Sequence, residues 1–221
     1  MREIVLDTET TGLDPRDGHR IIEVACIELM HHIPTGRKFQ RYVNPERDVP
    51  DEALAIHGLT AEFLGAYPPF AAVVEELLEF LGGDVLVTHN AEFDLAFLDA
   101  ELTRLSHPAI ACSHVDTLTL ARRRFPGAPA SLDALCRRFD IDLSGREKHG
   151  AEIDCVLLAE VYLELVGGRQ PGLDFAAPVG AAVAAARVAR PPRPHAPSAA
   201  ELAAHAAMLA ILKGPLWLAE A

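Results

Sequence analysis

The sequence predicts an α/β fold in which short buried strands are followed by amphipathic helices. The apolar run Ile4–Leu6 is typical of a strand buried on both faces of a parallel or mixed sheet. A second such run, at residues 84–87, leads through turn residues into a helical apolar pattern that ends at about Leu105. Another helical pattern covers residues 154–165, and the glycines at 167–168 are expected to end it.

Two carboxylates end the first predicted strand. Asp7 and Glu9 are separated by one residue, so both side chains point to one face, at the edge where α/β sheets usually bind ligands. Like charges at this spacing raise each other's pKa unless a cation offsets their repulsion. The pair therefore suggests a metal site, with an ordinary solvated strand end as the alternative.

Two more acids interrupt apolar helix faces. Asp94 lies at helical spacing from Phe97 and Leu98, and Asp154 has the same relation to Leu157 and Leu158. A carboxylate on a core-facing stripe is costly without a partner. For either acid considered alone, a buried ion pair with an arginine is the alternative. Together with the strand pair, the two acids favour one shared metal site.

A histidine precedes the last of these acids by five positions. On a continuous helix this spacing would turn His149 about 140° away from Asp154, so we expect His149 in a loop before the helix. Gly150 loosens the backbone at that entry. An imidazole beside metals is suited to act as a general base for water, because its pKa lies near neutrality. A surface or capping histidine is the alternative.

Three segments resemble the exonuclease motifs of the DEDDh 3′→5′ exonucleases: residues 7–12, residues 89–94, and His149 with Asp154. Residues 56–60 and 131–136 are also similar to that family, and the resemblance spans about residues 3 to 166. It implies a ribonuclease H-like fold, with a mixed five-stranded sheet flanked by helices. It also implies two divalent metal ions, Mg²⁺ or Mn²⁺.

The resemblance gives roles to individual residues. His149 would be the catalytic base, and Glu9 would also reach the terminal 3′-hydroxyl as a second catalytic residue. The metal ligands would be Asp7, Glu9, Asp94 and Asp154. The residues that would bind the terminal nucleotide are Thr10, Thr11, Gly12, His57 and Phe93. Ordinary turn and core positions are the alternative for these five.

The types of ligand atom and the expected hydrolysis of a phosphodiester agree with divalent metal ions as cofactors. Carboxylate oxygens suit magnesium, and the absence of paired-cysteine spacing argues against zinc. Two ions about 3.5 to 4 Å apart would orient the attacking water and stabilise the leaving 3′-oxygen. The expected products are nucleoside 5′-monophosphates released from a 3′ end.

Composition limits the partners and the compartment. With 221 residues, 50% of them hydrophobic, the chain can bury one sizeable core and leave a tail. Its net charge of -12 disfavours tight nonspecific binding to duplex DNA, but metals can supply the positive charge for a frayed 3′ end. We find no signal peptide and no run that could cross a membrane, so we expect a cytoplasmic protein without membrane contact. The four scattered cysteines are expected to be reduced thiols in or near the core.

The composition changes sharply after residue 168, which predicts several segments. These are an exonuclease domain over residues 1–168, a segment at 169–175 that resembles a sliding-clamp-binding peptide, a flexible Ala/Pro-rich linker over 176–197, and a tail over 198–221 that is expected to bind the polymerase. The side chains that would fill pockets of the clamp are Gln170, Leu173 and Phe175.

The tail combines a helix start with an apolar end. Ser198 and Glu201 form a capping-box pattern, and a short amphipathic helix far from any core has little to pack on but a partner. Residues 200–205 and 216–217 are similar to the tail by which proofreading subunits of bacterial DNA polymerase III bind the polymerase (alpha) subunit. The contacting side chains would be Leu202, Leu209, Leu212, Leu216 and Trp217. A tail folded back on the domain is the alternative.

The sequence thus predicts a proofreading 3′→5′ DNA exonuclease of a bacterial replicative polymerase. Its expected partners are the single-stranded 3′ end of DNA, the alpha subunit of polymerase III and the sliding clamp, with a further small core subunit as a candidate. Two alternatives stay open. A DEDDh RNA exonuclease would carry the same motifs but would not need the tail, and a non-catalytic scaffold bridging polymerase and clamp would not need the complete ligand set.

Overall fold

The computed structural model describes residues 1–144, 148–168 and 196–213. Contacts divide the chain into two units, Met1–Leu173 and Asp174–Ala221. The predicted clamp peptide and residues 176–195 of the predicted linker fall outside the described residues, and so do Leu216 and Trp217 of the tail. The clamp peptide includes Gln170, Leu173 and Phe175. The roles of these residues stay predictions.

One sheet of five strands forms the centre of the first unit. The strands are β1 (Arg2–Thr10), β2 (Ile21–Met30), β3 (Ile33–Tyr42), β4 (Val85–Thr88) and β5 (His114–Asp116). Their order is β3-β2-β1-β4-β5. The pairs β1–β2 and β2–β3 are antiparallel, whereas β1–β4 and β4–β5 are parallel. The predicted mixed five-stranded sheet is confirmed.

Seven α-helices accompany the sheet in the described part of this unit. They are α1 (Asp51–His57), α2 (Ala61–Leu64), α3 (Val74–Leu81), α4 (Ala91–Arg104), α5 (Thr117–Arg124), α6 (Leu132–Arg138) and α7 (Ala151–Leu165). The predicted helix to about Leu105 is α4, for which Leu105 is the C-terminal cap. The predicted stop after α7 is also confirmed, since Gly167 and Gly168 both have positive φ angles.

Helices cover the sheet on both faces because its central strand is apolar on both. Ile4 and Leu6 belong to the core formed with α3 and α4, whereas Val5 belongs to the core formed with α5, α6 and α7. The prediction that β1 ends at its two carboxylates was slightly short. The strand continues to Thr10, because β2 pairs with it that far, with a bulge between Glu9 and Thr10.

The cysteines lie in or near the core, as the sequence predicts. All four are reduced thiols, and three of them, Cys26, Cys136 and Cys155, are buried. In the three described stretches of chain, no helix combines the length and the apolar character needed to cross a membrane.

In the second unit, residues Ala199–Ile211 form helix α8. The predicted capping box is present, because the side chains of Ser198 and Glu201 bond reciprocally to each other's backbone N–H groups. Leu202 and Leu212 are 54% and 47% exposed, and Leu209 is partly exposed. The apolar side chains of this helix therefore retain contact area for a partner.

Candidate active site

The first two carboxylates lie at the end of the central strand. Val5 faces the core of α5 to α7, and Asp7 and Glu9 follow it on the same face because side chains alternate along a strand. The parallel pairing of β1 with β4 ends at Val5 and Val87. Beyond this point β1 continues alone on its β4 side, which opens a cleft at the carboxyl edge of the parallel strands.

Helix α4 brings the third carboxylate to this cleft. The helix follows β4 directly, and Asp94 lies in its first turn, where it is 2% exposed. Thr8 Oγ1 donates a hydrogen bond of 2.7 Å to Asp94 Oδ1. The residue between the two β1 carboxylates therefore fixes the orientation of the α4 carboxylate.

The start of α7 supplies the fourth carboxylate and the histidine. Asp154 lies in the first turn of α7 and is buried, whereas His149 lies in the loop before the helix, as predicted, with a side chain 49% exposed. His149 Nδ1 is 3.2 Å from Asp154 Oδ2. The backbone N–H of His149 donates to the carbonyl of Ile56 at 3.3 Å, which ties this loop to the end of α1.

All five residues of the predicted metal and base set come together. Ligand atoms of Glu9, His149 and Asp154 lie within 4.8 Å of one another. Burial raises the pKa of Asp7 well above its ordinary value, and the charges of the neighbouring carboxylates at Asp94, Asp154 and Glu9 raise it further. The sequence placed these groups in three separate segments, and the fold makes them one cluster.

This cluster is suited to bind divalent cations. Burial raises the pKa of Asp94 to about 7, although the hydrogen bonds from Thr8 oppose the shift. Several carboxylates buried together repel one another, and a divalent cation removes that cost. The donors are carboxylate oxygens with one imidazole nearby, which are the ligands that hard and borderline divalent ions accept.

A cleft of about 460 Å³ adjoins the cluster and contains every residue predicted to bind the terminal nucleotide. Those residues are Thr10, Thr11, Gly12, His57 and Phe93. Glu9 lines the same cleft, so the pocket opens directly onto the acidic cluster. Gly12 allows a tight wall here, because a Cβ at this position would lie 2.3 Å from the ring of His19.

His57 lines the cleft and has a buried ring nitrogen. Its Nδ1 accepts a hydrogen bond of 2.9 Å from the backbone N–H of Leu59, which leaves the proton of the neutral ring on Nε2. Burial lowers the pKa of His57, and the charge of Lys148 lowers it further, so the ring is neutral. Within the described ranges, the buried Nε2 has no hydrogen-bond partner. It is an unused donor on a residue that lines the cleft.

Sequence reasoning missed two residues of this site. Thr8 orients Asp94, and Glu23 on β2 accepts a hydrogen bond from the backbone N–H of Ala151, where α7 begins. A signal was present for Glu23, which is a charged residue in the apolar strand Ile21–Met30. The sequence could flag it as unusual but could not identify its partner.

The fold and the acidic cleft are those of an exonuclease. The family model described as "Exonuclease" matches residues 4–162. The curated relatives are named "DNA polymerase III subunit epsilon". The chain is 53% identical over 174 residues to that of Rickettsia conorii, which covers 77% of this chain and 76% of the relative. It is 44% identical over 176 residues to that of Escherichia coli K12, which covers 76% and 72% of the two chains. The chain therefore belongs to the exonuclease family, in its branch of 3′→5′ exonucleases named DNA polymerase III epsilon subunits.

Solved structures share the fold. "Exonuclease X in complex with 5′ overhanging duplex DNA" superposes with a TM-score of 0.60 at 24% identity, covering 74% of this chain and 90% of that one. The nuclease domain of 3′hExo, described as a DEDDh family member bound to rAMP, gives a TM-score of 0.64 at 20% identity, covering 75% and 91%. The expected ribonuclease H-like architecture is confirmed, and divalent metal ions are the cofactors of this family.

Proposed function

We propose that this chain is the proofreading 3′→5′ exonuclease of a bacterial replicative DNA polymerase. It hydrolyses the single-stranded 3′ end of DNA and releases nucleoside 5′-monophosphates. The observation that carries the proposal is the convergence of Glu9, His149 and Asp154 within 4.8 Å beside a cleft of about 460 Å³. The polymerase and DNA parts of the proposal are supported by the names of the relatives, at up to 53% identity.

The acidic cluster holds two divalent ions in this proposal, Mg²⁺ or Mn²⁺, with Asp7, Glu9, Asp94 and Asp154 as ligands. When bound, the two ions would orient the attacking water and stabilise the charge that develops on the leaving 3′-oxygen. The buried carboxylates of Asp7 and Asp94, both with raised pKa, lose their protons as the cations bind.

His149 is the general base. Its Nδ1 faces Asp154 Oδ2 at 3.2 Å, so Nδ1 donates to the carboxylate and Nε2 is the ring atom that accepts the proton of the attacking water. The half-exposed position of the imidazole lets it pass that proton to solvent afterwards. Glu9, which lines both the cluster and the cleft, reaches the terminal 3′-hydroxyl.

The cleft binds the terminal nucleotide. Its volume, about 460 Å³, falls in the range of a small-ligand pocket. Thr10, Thr11, Gly12 and Phe93 all line it. His57 Nε2 donates to the nucleotide. Since a mispaired end unpairs more readily than a paired one, it enters this pocket more often.

The second unit carries the contact with the polymerase in this proposal. Helix α8 exposes Leu202 and Leu212, with Leu209 partly exposed, and these residues bind the alpha subunit of DNA polymerase III together with Leu216 and Trp217. Gln170, Leu173 and Phe175 bind the sliding clamp, and a further small subunit completes the polymerase core. As a partner of the replicative polymerase, the chain acts in the cytoplasm.

The deciding experiment compares DNA and RNA oligonucleotides of one sequence, each labelled at the 5′ end, with Mg²⁺, with Mn²⁺ and with EDTA. The proposal requires metal-dependent shortening from the 3′ end, faster on DNA than on RNA, and faster on a duplex with a mispaired terminus than on a matched one. Faster cleavage of RNA would favour an RNA exonuclease. Absence of metal-dependent cleavage would favour the scaffold.

A further inference from the structure

The first turn of α7 is capped by a residue from another element. Gly150 is the N-terminal cap of this helix and has no side chain to bond the free backbone N–H groups. The N–H of Ala151 donates instead to Glu23 Oε2 at 3.2 Å. Glu23 lies 128 positions earlier in the chain, so the sheet supplies the cap that the helix lacks.

Glu23 is held firmly in this position. It is 3% exposed, and it lies directly opposite Glu9 in the β1–β2 register, so both side chains share the face that carries α7. Its second carboxylate oxygen, Oε1, accepts a hydrogen bond of 2.8 Å from Gln40 Nε2 on β3. Both oxygens are thus engaged, one by the sheet and the other by the helix start.

The capped helix start is the part of α7 that belongs to the site. Ala151 is two residues after His149, and Asp154 lies in the same first turn, with its N–H bonded to the carbonyl of Gly150 at 2.9 Å. The backbone of His149 is fixed on its other side by the bond to Ile56. The loop that carries the imidazole therefore has two anchors, the end of α1 and the carboxylate of Glu23.

We propose that Glu23 is a positioning residue of the exonuclease site, whose bond to the Ala151 N–H sets where α7 begins and so aligns His149 and Asp154. The proposal rests on the exonuclease function proposed above. Glu23 acts through Ala151 and does not itself contact the reacting atoms. Without it, the buried N–H has no acceptor and the helix start shifts. A displacement of about 1 Å in such a site can reduce the rate about 100-fold.

The test compares Glu23→Ala with Glu23→Gln at saturating Mn²⁺. We expect Glu23→Ala to lower kcat about 10- to 100-fold with KM within about 3-fold of the parent. Glu23→Gln keeps an oxygen that can accept from Ala151 and should stay within about 3-fold of the parent kcat. Glu28→Ala is the matched control, because Glu28 is a buried carboxylate of the same strand that is bonded instead to Arg2, Thr35 and Arg37.

Two further measurements separate positioning from a general loss of structure. In the His149→Ala background, Glu23→Ala should reduce kcat by a smaller factor than in the parent, because one of the two groups that it aligns is already absent. Calorimetric titration with Mn²⁺ should show about 10-fold weaker binding in Glu23→Ala, since Asp154 is also misaligned. This titration does not depend on catalysis, so it tests the role of Glu23 even if the parent chain cleaves no oligonucleotide. Absence of cleavage by the parent chain would contradict the proposed function and not the role of Glu23.

The proposal is overturned if Glu23→Ala keeps the parent kcat and Mn²⁺ affinity, or if Glu28→Ala loses as much kcat per folded molecule. It is also overturned if Glu23→Ala reduces kcat by the same factor with and without His149. Should Glu23→Ala fail to fold, Gln40→Leu removes the bond to Oε1 and leaves Glu23 in place. Gln40→Leu should then lower both kcat and Mn²⁺ affinity, as expected for Glu23→Ala. Parent values of both quantities would overturn the proposal.

Discussion

Thr8 Oγ1 lies 2.7 Å from Asp94 Oδ1, so the residue between the two β1 carboxylates orients the carboxylate of α4. This bond passes from the central strand to a helix 86 positions later in the chain. It explains why a hydroxyl is useful at the middle position of the Asp-Thr-Glu segment, where a purely structural strand would carry an apolar residue.

Replacing Thr8 by Val tests this relationship. Valine has nearly the same shape but cannot donate, so Asp94 loses its orienting bond and the site loses metal affinity. We expect Thr8→Val to reduce kcat or Mn²⁺ affinity about 10-fold. Thr8→Ser keeps the hydroxyl and should lie close to the parent in both measurements; equal losses in the two variants would show that the hydroxyl is not what matters.

Removing a proposed metal ligand should abolish hydrolysis without unfolding the chain. We expect Asp7→Asn and Asp154→Asn to reduce kcat roughly 1,000-fold, because charge stabilisation is lost at the reacting phosphate. Circular dichroism should be unchanged. Asp142→Asn is the control, since Asp142 is bonded to Ser144 in a surface turn. Near-normal turnover in either ligand variant would contradict the assignment.

The stability of the metal-free protein should depend on pH in a direction set by Asp94. Its pKa is about 7 in the folded chain and about 4 when unfolded, so between these values only the folded state keeps the proton. The unfolded state then binds fewer protons, and the free energy of unfolding falls as pH rises from about 4 to 7. Denaturation in EDTA should show this decrease, and Asp94→Asn should make it shallower, since Asp7, whose pKa is also raised, still contributes in the same direction. A divalent cation should restore stability at pH 8 in the parent chain only.

His57 should contribute mainly to substrate binding. Its Nε2 is a buried donor without a protein partner in the described chain, so a bound nucleotide gains one hydrogen bond from it. We expect His57→Ala to raise KM about 3- to 10-fold, which corresponds to one such bond, with a smaller effect on kcat. His31→Ala, in the exposed turn between β2 and β3, is the control. An unchanged KM in His57→Ala would mean that the nucleotide does not contact this ring.

The tail should be separable from the nuclease. Deletion of residues 198–221 should abolish copurification with the polymerase subunit and leave hydrolysis of short single strands unchanged. Alanine at Gln170, Leu173 and Phe175 together should weaken clamp binding alone. If both changes leave every association intact, the partner contacts lie elsewhere in the chain.

Local sequence rules accounted for a large part of the fold and site. The period of two along β1 placed Asp7 and Glu9 on one face, and the five-residue offset of His149 placed it before α7 rather than on it. Both features depend on residues close together in the chain. The roles of the cleft residues, by contrast, came from a family resemblance and not from spacing.

The supporting contacts could not be predicted in this way. The bond between Glu23 and Ala151 and the bond between Thr8 and Asp94 join residues 128 and 86 positions apart. Such pairs are set by the β1–β2 register and by the docking of α4 and α7 on the sheet, and neither follows from local patterns. The bulge that carries β1 on to Thr10 is likewise a property of the strand pair.

The position of β1 in the sheet indicates which part of the first unit should unfold last. Up to Val5 this strand has neighbours on both sides and helices over both faces, so its backbone amides there should exchange with deuterium only when the whole unit opens. The part of the strand that leads into the reaction centre is thus expected to unfold last in this unit. Local opening of the edge strands β3 and β5 should therefore leave β1 folded. Partial unfolding at the edges of the sheet need not abolish activity.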